Sequence, residues 1–281
     1  MSIIIGIDVG GSTTKIVGFD TNCGKKKLIE PQFIRANDPI TATYGAFGKF
    51  TDENNIPISE IEAVVMTGVG SSYVKHDLYG IKCQRVPEFN CIGKGGLYLS
   101  GLENALVVSM GTGTALVHAS KAGGMQYLGG TGVGGGTLVG LSKLLLGAES
   151  INHICEFAEE GELKNVDLRI KDITAKSAIE GLNQDMTAAN FGNVSDIATK
   201  GDIAKGLMNM VFETVGMVSV FAAKYCNTKD IILTGNLTRL AYAKEKFDEI
   251  NGMGYGIKFD IPALSQFSTV IGCALSSGEI L

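Results

Sequence analysis

Asp8 sits near the end of an apolar run, Ile3–Val9, and a loop of unusual composition follows at once: Gly10-Gly11-Ser12-Thr13-Thr14-Lys15. The phosphates of a nucleotide need backbone N–H donors at close range, hydroxyls and a cation, and this loop offers all three. Gly10 and Gly11 allow close approach, Ser12, Thr13 and Thr14 supply hydroxyls, and Lys15 supplies the charge. Asp8, at a strand end, is placed to hold Mg²⁺ directly or through water, the ligation that magnesium prefers. A plain Gly-Gly hairpin turn with a solvated lysine has the same composition, so the loop by itself leaves both readings open. A second loop, Gly111-Thr112-Gly113-Thr114, follows another apolar strand. Two such turns could grip a polyphosphate from two sides. Neither has the GxxxxGK[ST] spacing of a Walker loop, and the strand expected straight after Gly11 excludes a Rossmann turn.

Two further features carry chemistry. Gly132-Val133-Gly134-Gly135-Gly136-Thr137 precedes a helix-like stretch. A glycine-rich helix start attracts anions through its free amides and its dipole, while tight helix packing would demand the same glycines. Glu88, just after Pro87, is an isolated carboxylate in a mostly uncharged segment. It could serve as the general base for a hydroxyl, or simply as a charge at a helix start.

The elements that must position these groups follow an α/β pattern. Ile3–Val9 and 16–20 are read as hairpin strands, 41–53 as a helix, 63–67 as a buried strand and 91–102 as a helix. The order then restarts: a strand at 105–110, a Gly/Thr turn, and a strand at 115–119. A repeat of strand, turn and strand implies duplicated α/β lobes, divided here into 1–104, with the first loop and Glu88, and 105–281, with the second. A helix is expected at 137–146. The segment 161–195 is read as an irregular excursion, and 203–225 as the longest helix, with Leu207, Val211, Val215 and Val218 on one stripe. A strand at 231–233 runs into Gly235-Asn236, and 267–275 is read as a closing helix.

Bulk composition narrows the class. A hydrophobic fraction of 45% can fill a sizeable core, and the net charge of -5 gives no electrostatic case for nucleic acid or an anionic membrane. Glycine, at 38 of 281 residues, is clustered between apolar runs, which fits tight turns rather than disorder. The six cysteines include no CxxC pair and there are only three histidines, so no tetrahedral zinc pattern assembles. With no signal peptide and no run of about 20 uncharged apolar residues, a cytoplasmic protein with reduced thiols is expected.

Taken in order, these segments resemble the type II pantothenate kinases, within the actin, sugar kinase and Hsp70 ATPase superfamily. The resemblance covers nearly the whole chain. Residues 6–15 look like the family's first phosphate motif, 87–95 its catalytic-glutamate segment, 111–114 its second phosphate motif and 129–137 its glycine-rich helix start. Residues 166–173 and 188–193 match two more segments, and Gly235-Asn236-Leu237-Thr238-Arg239 looks like the adenosine-side motif. The resemblance implies two ribonuclease-H-like lobes with a nucleotide cleft between them, and a homodimer packed through its long helices. It implies Mg²⁺-assisted transfer of phosphate from ATP to the primary hydroxyl of pantothenate, the first step towards coenzyme A. Glu88 would be the base, Lys15 and Asp8 would act at the phosphates and metal, and Thr112 would contact the substrate. Two positions depart from the family pattern: Tyr127 stands where an arginine contacts the substrate, and Asn90 stands where aspartate is common. A lost guanidinium contact to a carboxylate is worth about 1.5–3 kcal/mol. Another small alcohol or a pantetheine-like molecule is therefore the alternative acceptor, unless Arg169 or Arg239 reaches in instead. The activators of radical dehydratases share the Gly-Ser-Thr-Thr-Lys opening but need two placed thiolates per chain. An inactive nucleotide-binding relative is the remaining alternative.

Overall fold

The computed structural model describes residues 2–11, 13–22, 27–35, 38–174, 184 and 186–277. Ser12 of the first loop, Cys23 and part of the 161–195 excursion lie outside the described residues.

The first five strands, β1 (Ile3–Val9), β2 (Thr14–Asp20), β3 (Lys27–Ile34), β4 (Ile61–Thr67) and β5 (Cys83–Arg85), form one sheet in the order β3-β2-β1-β4-β5. β1 runs antiparallel to β2 and parallel to β4, which sets Asp8 between Lys15 and Thr67. Every residue of β1 is buried. Its continuous apolar run reflects cover on both faces. Ile3, Ile5, Ile7 and Val9 pack with Phe47 and Phe50 of helix α1 (Pro39–Glu53). The Asp38 side chain caps that helix by accepting from the Thr41 amide, and Pro39 opens it. The other face, with Ile4, is covered by a helix from the far end of the sequence.

The second sheet has the same plan. β6 (Asn104–Met110), β7 (Thr114–Ser120) and β8 (Gly124–Thr131) form the antiparallel trio; β11 (Asp230–Thr234) and β12 (Lys258–Asp260) add parallel strands in the order β12-β11-β6-β7-β8. Between the trio and β11 lie α3 (Gly135–Leu146), α4 (Ile151–Glu159), the small ladder of β9 (Leu168–Arg169) and β10 (Thr187–Ala189), the single turn α5 (Ile170–Ile173) and α6 (Lys200–Tyr225). Helix α7 (Ala241–Gly252) separates β11 from β12. α6 is apolar and long enough by composition to cross a membrane, but 61% of its apolar window is buried, as in a core helix. Leu207, Val211 and Val215 pack on Leu106 and Val108 of the sheet, whereas Val218 turns towards the exposed side.

The sheets exchange their covering helices. α2 (Glu88–Ser100) follows β5 of the first sheet, yet its Ile92 and Leu97 pack on Val107 and Val117 of the second. α8 (Ser268–Leu275) follows β12, yet its Val270, Ile271 and Ala274 pack on Ile4, Val17 and Val65 of the first. Where they cross, a side chain on Gly95 would strike the Ser268 carbonyl, and one on Gly272 the Cys91 carbonyl. The glycines let the two backbones touch.

Some elements escape the sequence pattern. β8 looks like part of a glycine cluster, because Gly129, at φ +128°, absorbs a register shift against β7. α7 is largely polar and buries only Ala243, Lys246, Phe247 and Ile250. The family-like segment around Asp167 is structural: Asp167 accepts from the Phe191 amide (2.8 Å) and from the Asn209 amide group (2.8 Å), tying the excursion to α6.

Candidate functional site

The ends of β1 and β6, the central strands of the two sheets, face a common cleft of about 640 Å³. From the first sheet come Asp8, Gly10, Gly11, Thr13 and Lys15, and Glu88 enters as the first residue of α2. The second sheet contributes the loop Gly111, Thr112, Gly113 and Thr114, with Gly130, Thr131 and Gly132 behind it, and Gly235 and Asn236 beyond β11. Tyr127 of β8 completes this set.

Close backbone approach shapes both halves. β4 ends in Gly68 at φ +85°, where a Cβ would come within 2.6 Å of an Asp8 carboxylate oxygen and of the Val9 carbonyl. β11 ends in Gly235 at φ +93°, equally close to Met110. Only glycine tolerates these conformations at such contacts. Thr67 sits beside Asp8, and Thr234 beside Ser109, so Ser109 is the second lobe's counterpart of Asp8. One half presents a carboxylate and the other a hydroxyl.

The three charged side chains that line the cleft lie within electrostatic reach of one another. Burial pushes the Asp8 carboxyl up, partly offset by Lys15. Glu88 is also pushed up, first by burial and then by the like charge of Asp8, with Lys15 opposing. Burial pushes the Lys15 ammonium down, with Asp8 supporting its charge, Arg239 opposing it and Glu88 supporting it. The Lys15 ammonium donates to the Gln266 carbonyl at 2.7 Å, which leaves two of its three protons for other partners. A carboxyl raised above its ordinary range by burial and a neighbouring like charge, in a cleft, suits a general base.

Several expected groups stand elsewhere. Thr14 is buried opposite Val9 in the hairpin, outside the cleft lining. Gly134, Gly135 and Gly136 lie behind the second loop: the Gly135 amide donates to the Gly111 carbonyl (2.9 Å) and the Gly136 amide to that of Thr112 (2.8 Å). A Cβ on Gly134 would meet Gly113 at 2.8 Å. The glycines at this helix start thus seat the loop against α3. Arg239 lies over the Phe33 ring at 5.9 Å and Arg169 pairs with Asp172, so neither lines the cleft. Ser109, Ile92, Val69 and Thr269 line it without having been anticipated. Thr269 comes from the opposite end of the chain and carries no local signal.

The donor set fits a magnesium ion. Asp8 is a buried carboxyl whose upward shift Lys15 only partly offsets, within electrostatic reach of a second carboxyl and open to the cleft. Among the described residues no group of three or more His, Cys, Asp or Glu side chains surrounds a common point. That matches an ion that keeps several waters and takes phosphate oxygens rather than a full protein cage. Of the described cysteines, Cys91 and Cys273 are buried at the helix crossing.

Solved structures share this architecture. The activator of the 2-hydroxyisocaproyl-CoA dehydratase from Clostridium difficile, with bound ADPNP, superimposes with a TM-score of 0.66 at 14% identity, covering 98% of this chain and 94% of that one. A ROK family glucokinase from Streptomyces griseus, in complex with glucose and AMPPNP, gives 0.60 at 12% identity, over 97% and 98%. The fold is the one these proteins share, two sheets of one plan about a cleft. Within it the sequence is narrower. The Fumble family model matches residues 104–251, and a type II pantothenate kinase of Oceanobacillus iheyensis is 32% identical over 246 residues, 82% of this chain and 83% of that protein. The chain belongs to the type II pantothenate kinase family.

Proposed function

We propose that the chain transfers the γ-phosphate of ATP to the primary hydroxyl of pantothenate, as the names of its relatives indicate. The observation that carries this reading is the convergence of Asp8, Lys15 and Glu88 on one cleft between two strand–glycine–strand loops. Glu88 orients the acceptor hydroxyl and takes its proton, its raised carboxyl poised for that task. Lys15 and the amides of the two loops bind phosphate oxygens, with the Thr13 and Thr112 hydroxyls beside them. Asp8 holds Mg²⁺, which when bound neutralises charge on the phosphates. Gly134, Gly135 and Gly136 act indirectly, by fixing the carbonyls of the second loop. Gly235 and Asn236 take the adenosine side.

In the same reading the lobes divide at residues 104 and 105, and the protein is a cytoplasmic homodimer. The dimer is supported by the exposed apolar side of α6, where Phe221 is 63% and Tyr225 77% exposed. The deciding experiment is ATP with pantothenate, followed by ADP release and product mass. Phosphopantothenate is expected, and its formation is lost in Glu88→Ala with folding intact. Full turnover in that variant removes Glu88 from the role, and absence of phosphopantothenate removes the substrate.

A further inference from the structure

Tyr127 lines the cleft, and its ring stacks on that of Phe89 with centroids 3.8 Å apart and planes 13° apart. Phe89 is the neighbour of Glu88 on α2, so the stack lies one residue from the proposed base. Both rings stay open to solvent, Phe89 at 38% and Tyr127 at 47%. A solvent-facing aromatic pair whose Tyr127 lines a cleft is an apolar platform beside it. The charges around it are unfavourable to an anion. Among the described residues lining the cleft, the charged side chains are Asp8, Glu88 and Lys15. The lysine is only 8% exposed, lies within electrostatic reach of both carboxylates and is tied to the Gln266 carbonyl. No guanidinium or second ammonium among these residues faces the stack. An aromatic face carries negative potential, so it repels a carboxylate and accepts a flat amide.

We infer, on the basis of the kinase reading above, that the acceptor's end remote from its reacting hydroxyl is an uncharged amide packed on the Phe89–Tyr127 stack. Amides of pantothenate are then preferred to the free acid, and Tyr127 is the specificity-determining residue. A charged tail would have to shed water against two ring faces with no cation among the described lining residues beyond the tethered Lys15, whereas an amide keeps its own dipole and stacks.

The test compares pantothenate with its N-ethyl amide in steady-state ADP formation at saturating ATP and Mg²⁺, for the wild-type chain, Tyr127→Arg and Tyr127→Phe. The wild type is expected to favour the amide in kcat/KM by roughly tenfold or more, the factor of one charge-assisted contact, with the difference in KM. Tyr127→Arg shifts the ratio towards the acid by a similar factor while the KM for ATP holds. Tyr127→Phe, which keeps the stack, retains the amide preference. A wild-type ratio near one, or one favouring pantothenate, overturns this inference and leaves the kinase reading standing. Turnover of neither acceptor overturns both.

Discussion

Replacing Gly95 with alanine tests whether the α2–α8 crossing holds the lobes together. In an isolated helix the change stabilises by about 1 kcal/mol, because alanine loses less backbone entropy. At Gly95 the new methyl is aimed at the Ser268 carbonyl oxygen and carbon, with the Ser268 hydroxyl behind them. The hydroxyl can turn away but the carbonyl cannot, so the helices must separate. Such overpacking costs about 1–3 kcal/mol and sometimes more. The separation also weakens contacts that Ile92 and Val270 make on opposite sheets. The expected outcome is a net loss of up to about 2 kcal/mol once the helix gain is subtracted. Gly140 provides the internal control: it is an exposed glycine of α3 with nothing near its missing Cβ. Gly140→Ala should therefore gain about 0.5–1 kcal/mol. At about 2–4 °C per kcal/mol for a chain of this size, thermal midpoints of the two variants should differ by about 1–12 °C, with only Gly140→Ala above wild type. Equal upward shifts in both would refute the argument that backbone contact at this crossing requires glycine.

Other consequences are checked more briefly. Glu88→Gln should cut turnover by about 10²–10⁴, the usual worth of a positioned base. The thermal midpoint at neutral pH should hold or rise, because a carboxyl whose folded pKa is raised opposes folding as pH increases past its ordinary value; a clear fall in midpoint contradicts the assigned direction. In wild type, activity should decline on acidification at a pH above the ordinary glutamate range, since the base must be ionised. Lys15→Met removes the cation that lowers Glu88, so the acid limb of its residual activity should move to higher pH; a limb that stays in place would separate the two groups. Phe221→Glu, on the exposed side of α6, should convert a dimer to monomer in sedimentation. A monomeric wild type would end the dimer proposal.

Much of the site was legible because its chemistry is local. The strand–glycine–hydroxyl loops at 8–15 and 111–114 show themselves by composition alone, and the register of β1 and β6 places their ends where expected. A further repeat lies in plain text: Val64-Val65-Met66-Thr67-Gly68 and Ile231-Ile232-Leu233-Thr234-Gly235 are the same strand and turn in both lobes. Matching them identifies Gly68 as the first lobe's counterpart of Gly235. The helix exchange was not legible. Nothing in the pattern of 88–100 says that α2 crosses to the other sheet, and Thr269 enters the cleft only because α8 crosses back. The glycines at 134–136 show why one composition supports two readings. Free amides and close packing both demand a missing Cβ, and only the hydrogen bonds to Gly111 and Thr112 separate them.

The crossing also sets a timetable for biosynthesis. The Cys273 thiol reaches the Ile7 carbonyl across 266 residues of sequence, so the cover of the first sheet is among the last parts made. At about 5–20 residues per second, Ile4, Val17, Phe19 and Val65 wait about 10–54 s on the growing chain for their cover to be made. The first lobe cannot settle on its own during that interval. A nascent chain with this exposed apolar wall is a natural client for holding chaperones, and fusing a bulky domain at the α8 end should slow maturation more than the same fusion near β3.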